Sequence, residues 1–213
     1  MPEVEKPRAR DKRDRKATEE AIVAAFEAVL LRDGVAGLGV NAVANEAGIN
    51  KVLIYRYFQD LPGLARHWAS NSSFWPSELE LIANDPEKFD QLEVRERVVR
   101  VLCNYLGSIR ARPQTVEMLA GELTAPNDIT RALADGMAAP GRGVSEYIKP
   151  ETADKDIGDR VWKLIFVVTA LTAFMSVRER SNPVFLGFDL TQDDSWDFLR
   201  ETVAEIAAAY LKD

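Results

Sequence analysis

Apolar residues recur at helical spacing along almost the whole chain, and this periodicity constrains the fold more than any other feature. In the last segment, large apolar residues repeat at intervals of three and four, which places them on one face of a helix: Trp196, Leu199, Val203, Ile206 and Tyr210. The same spacing predicts helices at 18–31, 40–47, 51–58, 64–81, up to 110, 113–123, 127–137 and 153–180, with a break at 139–143. We therefore predict an all-α protein of about nine helices.

The length and the cysteine content limit the class of protein. A chain of 213 residues suits one large or two small domains. The single cysteine, Cys103, excludes an internal disulfide and cysteine-based zinc or iron–sulfur sites, and it favours a reducing cytoplasm. The longest uncharged apolar run, 164–177, is shorter than the ~17–25 residues that a membrane span needs. We interpret this run as a buried helix and expect no membrane association.

Positive charge is concentrated at the N terminus. Residues 6–16 hold seven Lys or Arg and two Asp, although the whole chain carries a net charge of −7. A basic arm, taken here as residues 1–16, on an acidic body indicates a polyanionic partner at one end of the molecule. A solvated, disordered arm would have the same composition, so this alternative stays open.

The stretch 39–58 predicts two short helices joined by a tight turn. Ala44 and Ala47 are small enough to let a crossing helix approach closely. Gly48 can take the left-handed conformation that ends the first helix, and Asn50 can cap the second. This is the geometry of a helix-turn-helix, whose second helix enters the DNA major groove. A helical hairpin with a solvated face has the same spacing.

The second helix of this pair should have an inward and an outward face. Ile54 and Phe58 are one turn apart and are expected to pack together against the preceding helices. Lys51, Tyr55 and Arg56 then point away from that core. Basic and phenolic groups on one exposed face fit a surface that contacts phosphates and base edges.

Residues 21–68 resemble the N-terminal domain of the tetracycline-repressor (TetR) family in the motifs Val43-Ala44, Ala47-Gly48-Ile49-Asn50, Ile54-Tyr55, Tyr57-Phe58 and Leu64. The resemblance implies a DNA-binding domain at 17–63 and a helical regulatory and dimerisation domain at 64–213. It implies a dimeric transcriptional regulator, usually a repressor that a small ligand releases from its operator. With Arg56 from the outward face, the DNA-facing positions are Gly39, Asn41, Asn50, Lys51, Val52, Leu53, Tyr55, Arg56 and Tyr57.

Three positions depart from the family pattern. Gly39 stands where the family usually has Ser or Thr, Leu53 replaces a small polar residue, and Leu61 replaces a Lys that contacts phosphate. Leu53 could contact a thymine methyl group instead. These differences leave a second interpretation open, in which the protein is a helical adaptor or interaction protein that has lost operator binding.

A helix-turn-helix protein needs a two-fold dimer to bind two half-sites about one helical turn, ~34 Å, apart. We expect the last two helices of each subunit to form a four-helix interface; burial of both helices within one chain is the alternative. Its predicted residues are Phe174, Trp196, Leu199, Val203, Ile206 and Tyr210. Aromatic and soft side chains of the middle helices could line a mainly apolar effector pocket, or could be plain core: Trp68, Phe74, Tyr105, Met118, Trp162 and Phe166.

Groups that could support catalysis are sparse in the sequence. His67 is the only histidine, and Cys103 lies in the apolar stripe of a predicted helix. The sequence Gly-Arg-Gly at 141–143 lacks the preceding strand that a dinucleotide site requires. We therefore predict that the protein is not an enzyme and needs no metal or cofactor.

Overall fold

The computed structural model describes residues 9–71, 73–135 and 155–212, and about four fifths of them are helical. They form eleven helices: α1 (Ala9–Gly37), α2 (Val40–Glu46), α3 (Val52–Phe58), α4 (Leu61–Asn71), α5 (Glu78–Leu81), α6 (Pro86–Asp90), α7 (Val94–Arg110), α8 (Pro113–Thr124), α9 (Asp128–Ala134), α10 (Lys155–Ser181) and α11 (Asp193–Tyr210). A short antiparallel hairpin, β1 (Val184–Phe185) with β2 (Phe188–Asp189), joins α10 to α11. The all-α prediction is confirmed. The break predicted at 139–143 and residues 1–8 of the basic arm lie outside the described residues.

Helix boundaries agree with prediction where the sequence carries a local stop or start signal. Helix α8 begins at Pro113, because proline fits the first helical position, where the missing N–H has no helical partner. The Asn127 side chain accepts hydrogen bonds from the backbone N–H groups of Ile129 (2.8 Å) and Thr130 (3.1 Å) and so caps α9.

The start predicted for the first helix is wrong. Helix α1 begins at Ala9, so the second half of the basic arm continues the helix. Thr18 is inside the helix, where its hydroxyl donates to the Asp14 carbonyl (2.8 Å), and it does not cap an N terminus. Arg15 pairs with Glu19 one turn on, at 2.8 Å, and such pairs stabilise the N-terminal extension of α1, which has no apolar stripe of its own. At Gly34 the backbone leaves the helical conformation, with φ 68° and ψ −176°, so the first helix is interrupted just after its predicted end, and a further short helical stretch follows the kink.

The segment predicted as one helix over 64–81 is two separate helices. Helix α4 begins earlier, at Leu61, and α5 begins only at Glu78. Pro76 lies between them, because it lacks the N–H that a continuous helix would need. Leu61 is 8% exposed and packs in the core. The TetR family usually has a phosphate-binding Lys at this position, so the residue has a different role in this chain.

The buried side chains form two clusters. The first cluster joins α1–α4 to α8 and α9, and it includes Trp68, Phe74 and Met118. The second cluster lies between α7, α10 and α11. The boundary predicted at 63/64 therefore does not coincide with a division of the core, since residues on both sides of it share the first cluster.

Helix α10 is buried on one face only, so the interpretation of 164–177 as a buried helix is wrong for its other face. Its inward stripe packs on α7 and α8, whereas Phe166 is 77% and Trp162 58% exposed. By length and composition alone this helix could cross a membrane, a test that the core helix of a soluble protein also passes. The exposed face is an apolar surface that the described chain leaves uncovered.

The predicted dimer seam on α11 is divided between two faces. Trp196 and Val203 are 2% and 4% exposed, and they pack inside the subunit against α7. Leu199 is half-buried against the same cluster, whereas Ile206 and Tyr210 are exposed. Trp196 and Val203 are thus core residues, which corrects their assignment to a dimer interface. The buried and the exposed residues lie close together around the helix axis, because a helix has 3.6 residues per turn. Only the packing of α11 on α7 decides which of them is buried.

Candidate nucleic-acid interface

The turn between α2 and α3 has the backbone that its sequence predicts. Gly48 takes φ +65°, the left-handed conformation that glycine adopts without strain. The N–H of Ile49 donates to the carbonyl of Ala44 at 3.0 Å, which closes the end of α2. The Asn50 side chain then accepts a hydrogen bond from the N–H of Val52 at 3.0 Å, as expected for a residue that starts α3.

Two apolar side chains fix the orientation of α3. Ile54 is fully buried and Phe58 is 8% exposed, in the same cluster as Ile22, Phe26 and Val43. The prediction that Ile54 and Phe58 face inward is confirmed. Because both anchors lie on one side of a two-turn helix, the opposite side of α3 is held towards solvent.

The outward side of α3 is open. Val52 is 61% and Tyr55 is 50% exposed, and Lys51 and Arg56 are also exposed. The Lys51 ammonium lies 3.4 Å from the Asn41 side-chain oxygen, so residues from α2 and from the start of α3 share one surface. This exposure is what a DNA-contacting surface requires, and the contacts with DNA themselves stay a prediction.

Leu53 and Tyr57 are only partly available to a partner. Both are half-buried and pack against the N-terminal core. The Tyr57 ring also lies near two guanidinium groups, those of Arg15 at 5.3 Å and Arg56 at 5.9 Å. Sequence reasoning missed Arg15 as an individual residue, because its position depends on the helical extension of α1. Cation–π contact with Tyr57 places this part of the basic arm beside α3.

Gly39 precedes α2 in an extended backbone conformation, φ −158°, and supplies no side chain to cap the helix. A Cβ atom added at Gly39 would meet no atom within 4 Å. The position where the family usually has Ser or Thr therefore has room for a hydroxyl-bearing side chain.

The six residues predicted to line an effector pocket do not come together. Trp68, Phe74 and Met118 are core residues of the first cluster, whereas Trp162 and Phe166 are exposed on the outer face of α10. None of the six lines any of three surface grooves, of about 410 to 730 Å³, that described residues form. Among the described residues, these six side chains therefore do not share the lining of one groove, and the effector pocket stays a prediction.

Tyr105 lies between the two core clusters. Burial raises the pKa of its phenol to about 12, and a hydrogen bond with Thr169 opposes that shift. The phenol is therefore neutral and already paired with α10. Within the described ranges, no three His, Cys, Asp or Glu side chains are grouped so that they could hold a metal ion.

Comparison with known proteins identifies the N-terminal domain and the fold. The sequence signature of the bacterial regulatory proteins of the tetR family matches residues 22–65. No curated protein matches the chain.

Solved structures of transcriptional regulators share the fold over about nine tenths of the chain. A TetR-family regulator from Rhodococcus sp. is 21% identical, with 92% of this chain and 100% of that chain covered and a TM-score of 0.58. NalD of Pseudomonas aeruginosa, the secondary repressor of the MexAB-OprM multidrug efflux pump, is 16% identical, with 91% and 96% covered and a TM-score of 0.58. FadR of Bacillus subtilis, solved in complex with stearoyl-CoA, is 15% identical, with 91% and 99% covered and a TM-score of 0.54.

The matched family and these structural neighbours are transcriptional regulators and not enzymes. The signature lies in the domain whose α3 presents an open basic and aromatic side, and the rest of the chain has the helical architecture of the neighbours. Residues 22–65 thus match the signature of the tetR family of bacterial regulatory proteins, and the chain has the fold of solved TetR-family transcriptional regulators.

Proposed function

We propose that the protein is a homodimeric repressor that binds a palindromic operator and leaves it when a small, mainly apolar effector binds. The observation that carries this proposal is the outward side of α3, where Lys51 and Tyr55 are exposed while Ile54 and Phe58 are buried. A repressor acts on the chromosome, so we expect the protein in the cytoplasm.

Each exposed group of α3 suits a particular part of a DNA duplex. Lys51 and Arg56 can neutralise phosphates, which positions the helix without reading sequence. Tyr55 and Asn50 can donate and accept hydrogen bonds at base edges in the major groove. Val52, at 61% exposure, can contact a thymine methyl group and takes over the role that Leu53 was expected to have.

The outer faces of α10 and α11 support the homodimer. Seven large apolar side chains are 41–77% exposed there: Trp162, Phe166, Val167, Phe174, Phe198, Ile206 and Tyr210. At roughly 150–250 Å² for a whole aromatic side chain, they expose on the order of 700 Å². This is close to the ~800 Å² that each partner contributes to a stable interface, whereas scattered apolar residues on a monomer expose less.

The effector site that we propose lies where α10 packs on α7 and α8. Thr169, Thr172 and Ser176 follow one another at spacings of three and four, so they share the inward face of α10. The Ser176 hydroxyl is buried and has no hydrogen-bond partner. A buried hydroxyl without a partner costs free energy that a ligand could recover by hydrogen bonding. An effector with an apolar body and one polar group would suit this site.

Helix α8 gives the effector site a route to the DNA-binding domain. Glu117 of α8 is 7% exposed, and it forms an ion pair with Arg180 of α10. One of its carboxylate oxygens lies 3.1 Å from the position that a Cβ atom would take at Gly34, the kink of α1. A shift of α10 against α8 would therefore move Glu117 against the kink of α1. Helix α1 packs on α2 and contributes residues to the first core cluster, so the shift would be transmitted to the DNA-binding domain.

Selection of bound sequences from random duplexes tests the proposal. A repressor of this kind should select a palindrome with half-sites about one helical turn apart, and its affinity should fall steeply with salt as phosphate contacts release counterions. Selection of no common sequence, with binding that does not depend on salt, would favour the adaptor interpretation instead.

A further inference from the structure

The hairpin between α10 and α11 exposes apolar side chains beyond the two helices. Val184 is 56%, Leu186 84% and Phe188 42% exposed. Val184 pairs with Asp189 and Phe185 with Phe188, so Leu186 and Gly187 form the two-residue turn at the tip. Leu186 is the most exposed of the large apolar residues that the structure describes.

Leucine is an unfavourable residue at this tip. Leu186 and Gly187 have φ +50° and +88°, the positive values at both central positions that define a type I′ turn. Such turns favour Asn, Asp or Gly at the first position, because a larger side chain is strained there. Leu186 thus combines backbone strain with an apolar side chain in water. A residue with an unfavourable backbone conformation and an unfavourable exposed side chain, and with no compensating contact inside the chain, is expected at a functional site.

The hairpin is attached to both helices by aromatic contacts. The Phe185 ring meets the Phe174 ring of α10 edge to face at 5.7 Å, and the Phe188 ring stacks on Phe198 of α11 at 4.8 Å. Arg178 donates to the Val184 carbonyl at 3.1 Å and lies over the Phe185 ring. These contacts hold the hairpin in place and make it continuous with the exposed apolar faces of α10 and α11.

We propose that the Leu186 tip is an arm that packs against a second copy of this chain. The inference rests on the proposed homodimer, whose interface would cover Phe174 and Phe198, the residues that support the arm. The three exposed apolar side chains of the hairpin raise the apolar area from on the order of 700 Å² to about 1,000 Å². In a two-fold dimer each arm contacts the other subunit, so every contact occurs twice.

The substitution Leu186→Asn tests the arm, because asparagine suits the turn and should keep the hairpin folded while removing the apolar side chain. We expect the dissociation constant of the dimer, measured by sedimentation equilibrium, to rise by about a hundredfold to a thousandfold, since two leucine side chains that are 84% exposed in the monomer lose their burial. Leu123→Asn is the matched control, because Leu123 of α8 is 67% exposed and far along the chain from the proposed interface. This control should leave the dissociation constant unchanged.

A parent protein that is monomeric at micromolar concentrations would overturn the homodimer and the arm together. A dimeric parent whose affinity is unchanged by Leu186→Asn would overturn the arm alone. As a second measurement, hydrogen exchange of the amides of 184–189 should slow when the concentration is raised above the dissociation constant. Equal exchange in monomer and dimer would show that the second copy does not cover the tip.

Discussion

Replacing Ile206 by Glu should separate assembly of the protein from its folding. Ile206 is 57% exposed on the outer face of α11, whereas Val203, less than one turn earlier, is 4% exposed against α7. Both residues belong to the same three-and-four repeat of apolar positions. Because their exposure differs, substitution by Glu should weaken dimerisation at Ile206 and should unfold the subunit at Val203.

In the monomer, Glu at position 206 should change the free energy of unfolding by no more than about 0.5 kcal/mol, as is usual for exposed sites. In the dimer, each subunit loses the burial of the exposed part of an isoleucine, worth about 1 to 1.5 kcal/mol. Two-fold symmetry doubles this loss to about 2 to 3 kcal/mol, which corresponds to roughly a hundredfold weaker association. Desolvation of the added carboxylates would weaken it further.

Val203→Glu should instead unfold the subunit. Position 203 is only 4% exposed, so the substitution would replace two buried methyl groups with a carboxylate. Burying an unpaired carboxylate costs several kcal/mol. That is comparable to the 5–15 kcal/mol by which domains are typically stable. Sedimentation velocity over a concentration series, with circular dichroism on the same samples, measures both effects. Parental dimerisation of Ile206→Glu, or a normally folded Val203→Glu, would refute the division of α11 into an inner and an outer face.

Three further substitutions test other parts of the structure. Gly34→Ala should lower the free energy of unfolding by about 1 to 3 kcal/mol, because only glycine adopts φ 68° with ψ −176° easily; an unchanged urea midpoint would argue against the kink. Burial raises the pKa of Glu117, with Arg180 opposing the shift, so its contribution to stability is present at low pH and is lost as pH rises through the raised pKa. Glu117→Gln should therefore flatten the decline of the free energy of unfolding above pH 4.5, the ordinary pKa of Glu. Urea unfolding of the parent and the variant at a series of pH values measures this decline. Parallel plots of unfolding free energy against pH for the two proteins would contradict the prediction. Gly39→Ser should stabilise α2 by a few tenths of a kcal/mol and tighten operator binding in fluorescence anisotropy, and weaker binding would count against a phosphate contact there.

The course of α3 and the turn before it could be predicted from the sequence because the signals are local. Ile54 and Phe58 are one turn apart, Gly48 permits the left-handed turn, and Asn50 can cap α3. Each of these depends on neighbours within a few residues, so spacing and residue type were sufficient.

The features that sequence reasoning missed depend on tertiary packing or on very short elements. Val203 and Ile206 obey one repeat, and only the position of α7 decides which of them is buried. The extension of α1 towards Ala9 has no apolar periodicity, and its helical state relies on charge pairs such as that of Arg15. The strands at 184–189 have two residues each, and a Leu-Gly turn lacks the Asn-Gly signal of a hairpin.

The central claim is that the outward side of α3 reads the operator, and the variant Lys51→Ala with Tyr55→Ala tests it most directly. Its affinity for the selected operator should be measured over a salt series, beside Lys88→Ala, which removes an exposed lysine of α6. We predict that the double variant loses sequence-specific binding and that the slope of log affinity against log salt becomes shallower by about 2, one phosphate contact for each subunit of a dimer. Lys88→Ala should bind as the parent does. Parental affinity and an unchanged slope in the double variant would contradict the account.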